Sequence, residues 1–485
     1  MKRGSGACSR TLAGARPPAP VLVWFRDDLR LADNLALAAA FSTGRPMIPV
    51  FIWAPEEEGN WRPGAASNWW LDASLRALSR ELDERGSRLI IRRGPTATAL
   101  ATLLEQTKAS GLFWNRVYHP STIQRDSRLK SEIRARGVAV ETLNGSLLFE
   151  PSTILNSSGK PFAVFTPFWR ACLAKAVSAP LDPPPHFPAP EAWVDSLPVC
   201  DLGLQPAIDW ASGFRNTWQP GEKGAKAQLD RFRQAALDRY GASRDRPGIA
   251  STSRLSPHLR FGEISARQIW QAVDGLAGAD DFLRQLGWRE FSYHVLYSHP
   301  ESVEQPLRPE FARFPWRHDP RSFAAWTRGT TGYPFVDAGM RELWRTGWMH
   351  NRVRMVAASF LVKHLLIAWQ EGAAWFWDTL LDADRANNTM GWQWVAGCGA
   401  DAAPYFRIFN PVLQGEKFDP AGNYVRRWIP ELAELPDRWI HKPWLAPGPI
   451  LARAGIELGT TYPHPIVNHD DARRRALAAL RKTLR

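Results

Sequence analysis

Residues 347–410 decide how this chain is read. They run GWMHNRVRMVAASFLVKHLLIAW from Gly347 to Trp369, and LLDADRANNTMGWQWVAGCGADAAPYFRIFN from Leu380 to Asn410. Apolar residues at helical spacing alternate here with Arg, Asp, Asn and Trp that a core alone would not need. Asn351 and Arg354 lie three apart and share one helix face; Arg352 and Met355 share the neighbouring face. Asp382 and Asp384 fall in a turn, with Asn387 and Asn388 just behind. The pattern predicts one pocket made by a helix and a loop, with cations and anions buried beside aromatics. A structural Arg–Asp pair in a Trp-rich core accounts for the same residues, because such pairs also sit in clefts.

Outward from this stretch the chain divides. From residue 221 onward the spacing is helical, over 225–237, 264–273, 279–298, 336–344, 350–368 and 374–381. Before residue 150 the pattern is different. Short apolar runs at 21–25, 47–53, 88–91, 112–114 and 138–143 read as strands. They alternate with helices at 35–41, 68–85 (capped by Ser67), 96–109 and 125–136. Alternation of this kind predicts βαβ units and a parallel sheet covered on both faces. No GxGxxG follows the first strand, so the usual dinucleotide fingerprint is missing. A ligand can still bind at the carboxyl ends of the strands. Prolines cluster over 179–190 and 197–220, which reads as a long connector. The expected layout is a leader over 1–20, an α/β Rossmann-like domain over 21–150, a linker over 151–220 and an all-α domain over 221–485.

The 485 residues carry a formal net charge of +13, which favours a polyanionic partner, most often nucleic acid. An Arg- and Ala-biased genome accounts for the same excess. Cys8, Cys172, Cys200 and Cys398 are scattered without a CxxC pair, which argues against a metal cluster or a disulfide framework and for a reducing, intracellular compartment. The basic N-terminus has no apolar core of a secretory signal and reads as a disordered leader, with a transit peptide as the alternative. No apolar run is long enough to span a bilayer.

The chemistry follows from three groups. YGASRDRPGIASTSRLS at 240–256 is dense in hydroxyls and arginine next to a helix start, where free backbone N–H groups meet phosphate oxygens; an ordinary capped turn is the plainer reading. Trp316, Trp369 and Trp392 fall near polar clusters, and a row of indoles can pass an electron, although core packing explains each one singly. Trp288 beside Arg289, and Trp394, are placed to stack nucleobases, with Arg244, Arg352 and Arg407 as phosphate contacts; surface charge and core Trp are the plainer readings. There is no Ser-His-Asp arrangement, no HExxH and no hydrolytic carboxylate pair. A cofactor that carries the hard chemistry fits better.

The motifs TSRLSPHLRFGEIS, WREF, TGYPFVDAGMRELWRTGWMHNRVRM and DAAPYFRIFNP, in this order, resemble the photolyase/cryptochrome flavoprotein family, above all its bacterial branch that splits cyclobutane pyrimidine dimers. The resemblance runs from VLVWFRDDLRLADNLAL to TTYPHPIVNHDDARRRAL. It implies FAD in a folded conformation within the helical domain. Tyr240, Thr252, Ser253, Arg254, Leu255 and Ser256 would hold its phosphates and ribityl chain. Trp348, Asn351, Arg354, Asp382 and Asp384 would line the flavin ring, with Asn388 facing N5. Trp392, Trp369 and Trp316, in order from flavin to surface, would carry electrons inward to the flavin. Reduced FAD, excited by light directly or through an antenna pigment, would donate an electron to a dimer flipped out of DNA. Gln285, Trp288, Met355 and Trp394 would surround that dimer, and Arg244, Arg352 and Arg407 would hold its strand. A reduced folate is the expected antenna, with Asn115 and Arg116 at a strand end as candidate contacts.

Gln285 departs from the dimer-splitting pattern, where Glu is usual. The (6-4) branch also carries Gln there, but places His at the positions of Asn351 and Met355. A cryptochrome-type receptor without repair is the other alternative; Trp288, Asn388 and the lack of a long extension after Arg485 speak against it. The resemblance implies a monomer in the bacterial cytoplasm.

Overall fold

The computed structural model describes residues 18–402 and 406–484. Most of the expected leader, with Cys8, and residues 403–405 of the last motif lie outside them. Five strands, β1 (Val21–Phe25), β2 (Met47–Trp53), β3 (Ile90–Arg93), β4 (Gly111–Asn115) and β5 (Ala139–Leu143), form one parallel sheet in the order β3-β2-β1-β4-β5. Val21 sits opposite Met47 on one side and Gly111 on the other. Every residue of β1, β2 and β4 is buried, as unbroken apolar runs require when helices cover both faces. Those helices are α1 (Leu35–Ser42), α2 (Ala65–Asp83), α3 (Thr96–Thr107) and α4 (Pro120–Ala135). The strand order reverses between β1 and β4, so a crevice opens at their carboxyl ends.

Ser67 does not cap α2. The helix starts at Ala65, three residues earlier than expected, and Ser67 is buried inside its first turn. Tertiary contact sets that start: the Ala65 N–H donates to Asp378 Oδ1 at 2.9 Å, and a Cβ on Gly64 would lie 2.4 Å from the Asp378 Cα. The expected helix over 350–368 also breaks. Asn351–Ser359 is α-helical, Phe360–Leu365 widens into a π-type turn, and Leu366 ends it at φ +58°. Lys363 within this turn is buried and donates to the Ala396 carbonyl at 2.7 Å, which draws it out of regular register. A further helix, Arg385–Ala396, follows the turn that holds Asp382 and Asp384.

The proline-rich connector is stitched to the sheet. Asp33 N donates to the Leu181 carbonyl at 2.7 Å and Met47 N to the Pro188 carbonyl at 2.8 Å. Helix α5 (Phe165–Leu173), which begins within GKPFAVFTPF at 159–168, docks instead on the helical half, sharing a core with the Ala279–Ser298 helix. Glu263 locks the two halves together: it is fully buried and accepts from Trp70 Nε1 at 3.0 Å, Gly221 N at 2.7 Å and Ser74. Gly262 beside it has φ +63°, and a Cβ there would sit 2.1 Å from the Asp27 carbonyl, so only glycine allows this approach.

Candidate functional site

The pocket centres on Trp348, just before the Asn351–Ser359 helix. Arg254 lies 4.8 Å and Arg354 5.9 Å from its ring, and Arg254 is also 4.5 Å from the Trp218 ring. Each guanidinium thus rests on an indole face, where ring electrons favour a cation. Arg354 pairs with Asp382 at 2.8 Å and donates Nε to the Met349 carbonyl at 2.7 Å. Asp382 Oδ1 is buried with no partner, and so is Arg254 Nε. Arg254 makes no ion pair among the described residues and is held at φ +52°, a conformation an ordinary side chain pays strain to adopt. One unpartnered acceptor and one unpartnered cationic donor in one pocket suit a ligand with both a polar ring edge and an anionic tail. FAD has both, and the residues present fit it.

The hydroxyl-rich segment meets this pocket directly: Trp348 Nε1 donates to Ser256 Oγ at 3.3 Å. Thr252 and Ser253 are half-buried and Ser256 exposed, while Leu255 is in the core. Tyr240 packs against Phe232 and Phe282, with Arg244 5.5 Å from its ring; burial pushes its hydroxyl pKa up.

Asp384 has a different job from Asp382. It is the N-cap of the Arg385–Ala396 helix: Oδ1 accepts from Asn387 N at 2.8 Å and Asn387 Nδ2 at 2.6 Å, and Oδ2 accepts from the Tyr293 hydroxyl. Both oxygens are therefore committed within the protein. Asn388, on the same helix, donates to the Ala373 carbonyl at 3.0 Å. Tyr293, which ties this cap to the Ala279–Ser298 helix, was not among the expected residues; nothing in the sequence separates it from a core tyrosine.

The expected division of the Asn351–Ser359 helix into a cofactor face and a lesion face needs correction. Asn351 is exposed and its amide reaches the Met355 sulfur at 3.9 Å, because residues four apart lie one above the other. Asn351 and Met355 form one stripe. Arg352 is not a free phosphate contact: it pairs with Asp245 at 2.7 Å and lies 4.4 Å from the Phe418 ring. Arg244 is looser, 4.0 Å from Asp245. Arg407 is exposed and lies 5.6 Å from the Trp394 ring, so these two do come together. Trp288 stacks on Phe165 at 3.8 Å and 7°, which occupies one ring face. Gln285, one turn before it, is half-buried and donates to the Asp281 carbonyl at 3.1 Å.

Trp369 and Trp392 are each 2% exposed, on adjacent packed helices, and Trp316 is half-buried at the edge of the same core. A chain of aromatic contacts leaves Trp392. It runs through Trp326 (6.2 Å), Phe323 (5.8 Å) and Trp375 (6.4 Å) to Trp344 (6.2 Å), which is 64% exposed. Its members are scattered in sequence, so only the fold brings them into line.

At the carboxyl ends of the strands, a cleft between the two halves is lined by Trp24, Trp53, Trp61, Trp377 and four arginines, Arg26, Arg125, Arg260 and Arg385. His119 in its wall is held well below its ordinary pKa by burial and then by these cations. Asn115 and Arg116 do not line this cleft. Asn115 is buried and bonded to Asp28 at 2.6 Å and Asn34 at 2.8 Å; Arg116 is tied to Glu150 at 2.7 Å and to the Thr142 carbonyl at 2.6 Å. A strand-end position is visible in the sequence, but whether its side chain turns inward is not.

Among the described residues no helix is long and apolar enough to cross a membrane, and no group of metal-binding side chains occurs. A family model for DNA photolyase matches residues 21–191, and one for the FAD binding domain of DNA photolyase matches 282–482. A deoxyribodipyrimidine photo-lyase of Agrobacterium fabrum is 51% identical, over 95% of this chain and 97% of its own. Cryptochrome-1 of Arabidopsis thaliana is 43% identical, over 98% of this chain and 70% of its own. The crystal structure of a bacterial class III photolyase from Agrobacterium tumefaciens superposes with a TM-score of 0.95 at 50% identity, covering 98% of this chain and 99% of that one. With relatives matched along nearly the whole length, through the sheet and the helical half, the chain belongs to the photolyase/cryptochrome family.

Proposed function

We propose that this protein is a light-dependent DNA repair enzyme that splits cyclobutane pyrimidine dimers with FAD. The observation that carries the cofactor site is the pair of unpartnered atoms in the Trp348 pocket, Asp382 Oδ1 and Arg254 Nε. Asp382 would accept from the polar edge of the flavin, and Arg254, with Thr252, Ser253 and Ser256, would hold the phosphates. Arg354 supplies a fixed positive charge, and its bond to Asp382 keeps it from being an uncompensated buried cation. When bound, FAD supplies light absorption and one-electron chemistry. Asn388 would set an amide beside the ring, able to donate or accept. Asp384 would act on that site indirectly, by fixing the helix that carries Asn388 and Trp392.

For the substrate, the pair of exposed Arg407 and half-buried Trp394 fits a flexible strand, one group for phosphate and one for a base. Trp288 would offer its free face to the lesion, with Gln285 and Met355 nearby. Electrons would reach the pocket through Trp316, Trp369 and Trp392; the contiguous path from Trp344 supports a second entry to the same Trp392. A reduced folate antenna would lie in the cleft between the halves, where indoles meet a planar ring and arginines meet its carboxylates. Chromophore extraction, followed by absorption spectra of an Arg125→Ala variant, tests that placement.

The test of the main reading is to illuminate the purified, reduced protein with cyclobutane-dimer DNA and, separately, with (6-4) DNA. Recovery of thymine absorbance with the first alone is expected. Recovery with the second alone would reassign the substrate. The similarity to cryptochromes keeps one further reading in view, and recovery with neither would move the protein to light sensing without repair.

A further inference from the structure

Where the outer end of an electron path reaches the surface, its surroundings decide what can deliver an electron there. Trp316 is half-buried and packed against Phe314 at 4.3 Å. Arginines gather around it. The N–H of Arg317 donates to the Leu366 carbonyl at 2.7 Å, and the Arg475 guanidinium donates to the His364 carbonyl. His364 lies in the π-type turn and Leu366 caps it, so the segments that carry Arg317 and Arg475 meet at that end. Burial, and then the Arg317 charge, hold the Arg475 pKa below its ordinary value. Arg313 lies on the neighbouring 3-10 turn, Pro309–Arg313, against which the His469–Thr483 helix packs. None of Arg313, Arg317 and Arg475 makes an ion pair among the described residues.

The carboxylates close by offset part of this charge: Asp319 faces Arg317, Asp471 faces Arg475, and Glu310 shares the 3-10 turn with Arg313. Asp319 caps the Pro320–Arg328 helix, accepting from Ser322 N at 3.0 Å and Ser322 Oγ at 2.8 Å. Asp471 pairs with Arg474, and Asp470 sits in the first turn of its helix, where the helix end favours a negative charge. The rim of Trp316 therefore presents arginine charge that these carboxylates offset only in part, beside a half-buried indole. Such a rim steers anions toward it and can raise association rates 10- to 1,000-fold.

We propose that this rim docks an acidic one-electron carrier protein, which re-reduces Trp316 after the indole has passed its electron inward. The proposal rests on the reading that Trp316, Trp369 and Trp392 conduct. The step balances as one electron: Trp316 loses one toward Trp369, the reduced carrier returns one and leaves oxidised by one, and no bond is made or broken.

The experiment is flash photolysis of the FAD-loaded full chain, following decay of the tryptophan radical. Three donors are compared: ferrocyanide, the neutral hydroxymethylferrocene, and a reduced acidic two-iron ferredoxin. The proposal expects ferrocyanide and ferredoxin rate constants to fall about tenfold or more at high salt and in the Arg313→Glu/Arg317→Glu variant, while the neutral donor is unaffected. Both arginines are exposed, so the variant keeps its fold. Trp316→Phe should remove the response to the two anionic donors. Rates that ignore donor charge, salt and both substitutions would overturn the docking surface alone. Absence of any tryptophan radical would overturn the conduction reading and the docking with it. Shielding of Trp316 from ferrocyanide by undamaged duplex DNA would assign the rim to nucleic acid instead.

Discussion

The polar cluster at the carboxyl end of the sheet and the one around Trp348 use the same residue types, and they are wired in opposite ways. In the first, Asn115 spends its whole amide inside the protein: Nδ2 donates to Asp28 and Asn34, and Oδ1 accepts from Ala36 N at 3.2 Å. A Cβ on Gly145 would fall 2.3 Å from this amide, so nothing else fits beside it. In the second, Asp382 uses one oxygen on Arg354 and leaves the other buried and unpartnered. A buried polar atom without a partner costs about 1–3 kcal/mol. A closed network holds a fold together, whereas an open one holds a place for something else. That contrast, rather than residue type, separates structure from site in this molecule.

Two alanine substitutions test the contrast most strongly. Asp382→Ala should weaken FAD binding about a hundredfold, as expected for loss of a buried, charge-assisted contact worth about 1.5–3 kcal/mol, with only a modest change in melting temperature. Asn115→Ala should do the reverse. It leaves Asp28 buried without its side-chain donor, costs about 1–3 kcal/mol of stability and leaves FAD and antenna content unchanged. Fluorescence titration with FAD and thermal melts of both variants decide this. If Asn115→Ala empties the antenna cleft while the melt stays put, the distinction between the two clusters is wrong.

The proposed route through Trp316 and Trp369 and the chain of contacts from Trp344 extend the comparison to electron flow. They share Trp392, so Trp392→Phe should stop light-driven flavin reduction under either reading. Trp369→Phe and Trp326→Phe each cut one branch, and each should leave a residual rate within about tenfold of the parent if both branches conduct. Transient absorption of the three variants separates the cases. Total loss in Trp369→Phe would leave the Trp326 branch as core packing, which is the default for a buried indole.

These outcomes also mark what could be read in advance. Continuous apolar runs such as VLVWF and MIPVFIW announced buried parallel strands, because period and composition carry that information locally. The Arg354–Asp382 pair and the meeting of the 240–256 segment with Trp348 followed from motifs in the right order. The role of Asp384 as a cap, the commitment of Arg352 to Asp245 and the path through Trp326 were not legible. Each depends on where a side chain points once distant segments have packed, and the residue pattern leaves that open. The break after Ser359 was hidden for the same reason, since the pull on Lys363 comes from Ala396.

Glu342 offers a pH test beneath the same pocket. It is 7% exposed, accepts from the Tyr424 hydroxyl at 2.6 Å and the His350 N–H at 3.3 Å, and faces the charges of Arg254 and Arg354. Burial outweighs these partners and pushes its carboxyl up to about 7 from an ordinary value of 4.5. The folded state therefore holds this proton more tightly than the unfolded chain does. Stability from this group is full below the unfolded value and is lost as pH rises toward 7, by on the order of 3 kcal/mol. Glu342→Gln should flatten that part of the stability–pH curve, measured by urea melts at several pH values. Glu290, likewise raised to about 7 by burial, would retain its own slope, so the difference between parent and variant is the quantity to read.

The smallest effect is expected at Gln285, where the closed and open descriptions meet in one side chain. Its amide is now closed onto the Asp281 carbonyl, one turn back on the same helix, yet it is half-buried and free to swing outward beside Trp288. Reaching a lesion carbonyl exchanges one amide hydrogen bond for another, so the net gain is about 1 kcal/mol. In Gln285→Glu an ionised carboxylate cannot donate to either carbonyl and must first take up a proton to do so. Repair quantum yield in that variant should therefore change about two- to threefold and acquire a dependence on pH that the parent lacks. The same yield as the parent at every pH would mean that Gln285 belongs to the helix alone and that the lesion lies elsewhere on the Trp288 face.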